Sequence, residues 1–160
     1  MTKKAWLEQP GVLSRRITYH TERLRRLRRE ADAVASRWGE GSCVRGSEAP
    51  YVRMLERIET QQEELERECD LYDRLRAQIE EAVSRLPQEK MRLALLYHYL
   101  EGKSFLQVGD LLYMDKGTAH RWASRALDAL VLPENPIDIF SEDCNGCLSL
   151  PTDATPESVL

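Results

Sequence analysis

Tyr51, Ile58, Leu65, Tyr72, Ile79 and Leu86 stand seven residues apart, and no glycine or proline interrupts the run between them. Met54, Gln61, Glu68, Leu75 and Ala82 form the companion series, with Leu55, Cys69 and Val83 flanking it. An α-helix turns once every 3.6 residues, so a strict seven-residue spacing lays one stripe along one side of a helix. Five such heptads predict a helix of about 36 residues, roughly 54 Å long. A rod of that length cannot bury its own stripe, so the chain must bring another surface to it.

The nearest surface lies upstream. In residues 12–38, Ile17, Leu24, Ala31 and Trp38 form one seven-residue series, and Leu13, His20, Leu27 and Val34 form its neighbour. Between the two runs lies Gly39 to Pro50, whose glycines and proline break a helix and give a loop long enough for an antiparallel return. Residues 1–87 are therefore expected to fold as a long helical hairpin with its loop at 39–50, although an intermolecular coiled coil satisfies the same stripe. Gln61 and Glu68 sit at seam positions, where they either set register or face water beyond the end of the first helix.

Charge is segregated along the chain. Its 23 Lys and Arg against 27 Asp and Glu leave a net −4. Residues 1–38 nevertheless hold ten bases against four acids, and residues 39–90 hold eight against thirteen. Opposite signs on the two long helices suit facing flanks, while simple solvated faces account for the same pattern. Residues 91–130 are nearly neutral, with five bases and four acids. Residues 131–160 carry six acids and no base, so 133–160 reads as an acidic, largely disordered tail. Within that tail Ile137 to Phe140 is the apolar knot expected to pack on something. The tail is also expected to compete with phosphates for the basic surfaces.

Pro87 ends the hairpin, and a compact block follows over residues 88–132. Gln88 to Tyr99 reads as a helix, stopped by Gly102 in a left-handed conformation. Ser104 is a good N-cap with Gln107 in capping-box position. The short helix behind it is expected to turn Val108, Leu111 and Leu112 inward, with Gly109 permitting close approach. After Tyr113 and Met114, Asp115 caps a helix from Lys116 to about Leu130, whose Ala119, Ala123, Ala126, Leu127 and Leu130 face in. Helix, short turn and helix with small residues at the crossing is the helix-turn-helix pattern, whose second helix fits the major groove. The outward residues Lys116, Thr118, His120, Arg121, Ser124 and Arg125 are the candidate DNA contacts, with Ser104 beside them. Arginine pairs bidentately with guanine, while hydroxyls and lysine meet bases or phosphates. Trp122 is expected to pack on the preceding helices.

Residues 97–130 resemble region four of bacterial sigma factors. The likeness rests on the Tyr-x-Glu-Gly-x-Ser lead-in at Tyr99 to Ser104, on Gly117 and Thr118 opening the last helix, and on Ala126-Leu127. From Trp6 to Leu132 the chain is similar to the phage and prophage transcriptional regulators of the ArpU/RinA type, through Arg26 to Ala31 and through Val44 to Ser47. The resemblance implies an all-α protein in which an antiparallel, coiled-coil-like hairpin precedes a sigma-like helix-turn-helix. It implies sequence-specific binding of double-stranded promoter DNA and control of phage or mobile-element genes. The hairpin would then dimerise or contact RNA polymerase. Two positions depart from the family pattern: Tyr113 stands where glycine is usual, which calls for a left-handed backbone at a bulky residue, and Trp122 stands near a usual arginine. No promoter-melting region is present, so independent sigma activity is not expected.

Other chemistries find less support. Cys144 and Cys147 have C-x-x-C spacing, but no second pair or nearby histidine completes a zinc site. His20, His98 and His120 fall on different helices, and no phosphate loop or H-E-x-x-H motif occurs, so neither an enzyme nor a cofactor is expected. No window approaches a membrane span, and Met1 to Gln9 does not build a signal peptide, so a cytoplasmic protein with free thiols is expected. The rival to DNA reading is a protein-interaction module that binds RNA polymerase or another protein; a phage packaging adaptor is a further alternative.

Overall fold

The structure is a computed structural model that describes residues 1–38 and 48–141. It is all-helical, with no strand among the described residues: α1 (Lys3–Trp38), α2 (Glu48–Ser84), α3 (Glu89–Leu95), α4 (Phe105–Leu112) and α5 (Lys116–Ala129). The cysteines at 43, 144 and 147 lie outside the described residues, as does the acidic segment beyond Ser141.

α1 begins nine residues earlier than its heptads suggest, and it runs straight through Pro10. Thr2 starts it, its hydroxyl accepting from the Ala5 amide at 3.1 Å. Proline has no N–H, so the Trp6 carbonyl one turn earlier loses its helical donor. The Gln9 side-chain amide fills that place, donating to the Trp6 carbonyl at 3.3 Å. The helix therefore continues, and its first turns bring Trp6, Leu7 and Leu13 into the core.

α1 and α2 meet along the two heptad series. His20, Leu24 and Ala31 of α1 are buried, as are Gln61, Glu68, Leu75, Ile79 and Ala82 of α2. The seam glutamine does not reach water. Its amide donates to His20 Nδ1 at 2.6 Å, inside the interface. Glu68 is also buried, and one of its carboxylate oxygens has no hydrogen-bond partner among the described residues. Among the described residues the expected attraction between basic and acidic flanks is not realised as ion pairs. The salt bridges of both helices are intrahelical, apart from Arg76 of α2 reaching Glu101 beyond α3. Solvated faces describe these charges better.

One continuous core joins the near ends of both long helices to α3, α4 and α5. Several polar ties fix that junction. Arg92 donates to the Leu86 carbonyl at 2.6 Å, bridging the proline break. Arg76 pairs with Glu101 at 2.9 Å, and Lys3 donates to the Asp128 carbonyl at 3.0 Å. α3 does not end at Leu95 but widens into a π-helical stretch over Leu96–Leu100, with the Glu101 amide reaching back to the Leu96 carbonyl. Gly102 then stops it with φ +67°, the left-handed stop read from the sequence.

The chain after α5 returns to the core. Gln78 donates to the Asn135 carbonyl at 2.9 Å and accepts from the Ile137 amide at 2.9 Å. Gln9 donates to the Ile137 carbonyl at 3.0 Å and accepts from the Ile139 amide at 2.7 Å. Two glutamine side chains, one from each long helix, thus hold the backbone from Asn135 to Ile139. Ile139 is seated in the core at 1% exposure and Ile137 packs beside it, so the apolar knot packs through its isoleucines, while Phe140 stays 60% exposed.

Candidate nucleic-acid interface

The pair α4 and α5 is built from local rules. Ser104 caps α4 with a full capping box: its hydroxyl accepts from the Gln107 amide at 3.3 Å, and the Gln107 side chain accepts from the Ser104 amide at 3.0 Å. Three residues, Tyr113 to Asp115, connect the helices. Tyr113 takes φ 57° and ψ 45°, the left-handed backbone that the missing glycine demands. Its ring is 97% exposed, so no packing compensates for that conformation. Gly109 makes the tight return possible, since a Cβ there would lie 2.6 Å from the Met114 carbonyl oxygen.

Packing of the pair follows from small residues. Ala119, Ala123 and Ala126 are buried along one side of α5, and Val108 and Gly109 along α4. At 100° per residue, Arg121, Ser124 and Arg125 fall on the opposite side of α5. All three are exposed, as are Lys116 and His120. One expectation fails in α4: Leu111 is 47% exposed, because the helix turns Phe105, Val108, Gly109 and Leu112 to the core and Leu111 lies off that face; Leu106 is also exposed, at 59%.

The candidate contacts are not equivalent. Thr118 is half-buried and its hydroxyl is already committed, donating to the Asp115 carboxylate. That bond is the main reason the Asp115 carboxyl sits below its ordinary range; nearby Arg121 adds to the effect. Ser104 is likewise occupied as a cap. His120 lies on the flank toward α4, its ring edge-on to Phe105 at 4.9 Å, and Phe105 in turn stacks on His98 at 4.0 Å. His98 donates from Nδ1 to the Lys103 carbonyl at 2.8 Å, so it serves the loop before α4.

Trp122 packs against the core as expected, and two cations lie over its ring. The Arg125 guanidinium lies 5.6 Å from the ring centroid and the Lys90 ammonium 5.9 Å. Lys90 belongs to α3, far away in sequence, and no pattern in the chain marks it. Only the packing of α3 on α5 brings it beside Arg125. The surface therefore carries Lys90, Lys116, Arg121 and Arg125, with His120 at its margin. No group of three or more potential metal ligands occurs among the described residues, and no helix there is long and apolar enough to cross a membrane. No protein-family model, curated protein or solved structure matches the chain.

Proposed function

We propose that the chain is a sequence-specific DNA-binding transcription regulator of phage or mobile-element genes. In this reading α4, the turn and α5 form a helix-turn-helix resembling sigma region four, with α5 in the major groove. α1 and α2 form the antiparallel, coiled-coil-like hairpin that meets a second subunit or RNA polymerase. The observation that carries the proposal is the tight α4–α5 turn, with Gly109 against Met114 and Tyr113 left-handed, which presents Arg121, Ser124 and Arg125 away from the core. Arg121 and Arg125 would read guanine edges, while Lys116 and Lys90 would meet phosphates.

A second reading draws on a specific feature. Leu106, Leu111 and Tyr113 are exposed on α4 and the turn, individual apolar side chains better suited to protein than to phosphate. They support an interaction module that binds RNA polymerase without reading DNA. A genome-wide footprint of the protein in its own host separates the two. DNA reading predicts a recurrent short sequence under the peaks. Peaks at promoters with no shared sequence, lost when polymerase is removed, would favour the second reading.

A further inference from the structure

The far ends of α1 and α2 are covered on one side only. Near α3–α5, the seam residues Leu75, Ile79 and Val83 are fully buried. Farther out, Leu27, Val34, Tyr51, Met54 and Ile58 are only half-buried, although they continue the same stripe. Arg28 donates to Gln62 at 3.2 Å, which identifies the edge that both helices share beside the seam. One heptad to either side of these two residues stand Thr21, Ala35, Leu55 and Cys69, all uncharged. Leu55 is 44% exposed and neighbouring Val52 49%. Arg28 apart, the edge is therefore uncharged at these positions, and it opens to solvent at Ala35, Val52 and Leu55.

Its margins have opposite signs. On the α1 side stand exposed Arg25 and Arg28, with Asp32 one heptad beyond Arg25, and on the α2 side exposed Glu59, Glu66 and Asp73. No ion pair joins α1 to α2 among the described residues, so these charges are not neutralised across the pair, although Arg28 and Glu66 each hydrogen-bond to Gln62. We infer that this face is the dimerisation surface of the protein, occupied by the same face of a second copy.

Charge also selects the symmetry. Two copies can meet face to face about a two-fold axis lying across the helices or along them. An axis across the helices would stack α1 on α1 and α2 on α2, opposing like charges. An axis along them lays α1 of each copy over α2 of the other, so that Arg25 and Arg28 oppose Glu59 and Glu66 and the uncharged strips meet between. The result is a four-helix bundle with both C-terminal blocks at the same end. The inference does not depend on DNA binding, but two reading heads at one end suit paired half-sites.

A charge exchange tests it. One chain carries Arg25→Glu and Arg28→Glu, the other Glu59→Lys and Glu66→Lys, and light scattering after size exclusion reads the mass. The expected result is a wild-type dimer at twice the 18.5 kDa chain mass. Each variant alone should dissociate at least tenfold more readily, and an equimolar mixture should recover the dimer. Recovery itself shows that both variants are folded. A Leu55→Asp chain of unchanged helical circular dichroism should also run as a monomer. A monomeric wild type, a dimer indifferent to both exchanges, or a mixture that fails to recover would overturn the inference.

Discussion

Gln9 is the residue on which the most separate tasks converge. Its amide replaces the donor that Pro10 lacks, and it holds Ile137 and Ile139 by two further bonds at 3.0 and 2.7 Å. Gln9→Ala removes all three. At a net ~1 kcal/mol for each intramolecular hydrogen bond, the loss is about 3 kcal/mol. There is a ceiling, because the 135–141 segment can detach and let water reach the orphaned groups. Detachment re-exposes Ile139, which costs about 1.5–3 kcal/mol. Both routes give a loss of about 2–3 kcal/mol in denaturant unfolding. A double-mutant cycle against a chain ending at Leu132 shows where the energy resides. In the shortened chain only the bond to the Trp6 carbonyl remains to be lost, so Gln9→Ala should cost ~1 kcal/mol and leave a coupling of about 2 kcal/mol. The variant should also become sensitive to protease near Asp138. An equal cost in both chains, with the tail still protected, would refute the clamp.

Three further outcomes follow from the same geometry. Gly109→Ala places a methyl 2.6 Å from the Met114 carbonyl and should cost about 1–3 kcal/mol in thermal or denaturant unfolding; at Gly102, where nothing lies within 4 Å, alanine meets only the backbone penalty of about 1 kcal/mol. Gln61→Leu leaves His20 buried without its partner and should cost about 1–3 kcal/mol, while His20→Leu with Gln61→Leu recovers most of that loss in the same unfolding assay; an additive double change would contradict the pairing. The Asp115 carboxyl is held below its ordinary value chiefly by the Thr118 hydroxyl, so its contribution is present above the ordinary aspartate range and lost as pH falls through the lowered folded value. The stability gap between wild type and Thr118→Val should therefore narrow on acidification, and a gap that is the same at neutral and strongly acid pH would show that the bond is not responsible.

Repetition and local capping made the large elements legible. The heptads of α2 announce a long helix, and Gly102, Ser104 and Gln107 mark the ends of α3 and α4 because caps act within a few residues. The left-handed Tyr113 is expected only through the family resemblance, because it stands where that pattern has glycine. What stayed hidden depends on residues distant in sequence. The heptads of the first helix start only at residue 12, and the Gln9 amide, itself braced by the tail, shows why the helix also passes through Pro10. Leu111 reads as inward, yet the face of α4 that meets the core runs through Phe105, Val108, Gly109 and Leu112 and leaves Leu111 to its side. Within the candidate interface, Arg121, Ser124 and Arg125 follow from periodicity, whereas the prior commitment of Thr118 to Asp115 and the arrival of Lys90 beside Trp122 do not.

The proposed binding of DNA by the outer face of α5 is read by salt-dependent fluorescence anisotropy. Duplexes drawn from the footprint would be titrated with wild type, with Arg121→Ala plus Arg125→Ala and with Lys90→Ala plus Lys116→Ala, at several salt concentrations. Each phosphate neutralised contributes about −0.9 to the slope of log affinity against log salt. If Lys90 and Lys116 each meet a phosphate, their summed contribution reaches about −2. Arg121→Ala plus Arg125→Ala should abolish sequence preference with helical content unchanged, while Lys90→Ala plus Lys116→Ala should flatten the slope by about 2. Sequence preference that survives the double arginine change would contradict the proposal.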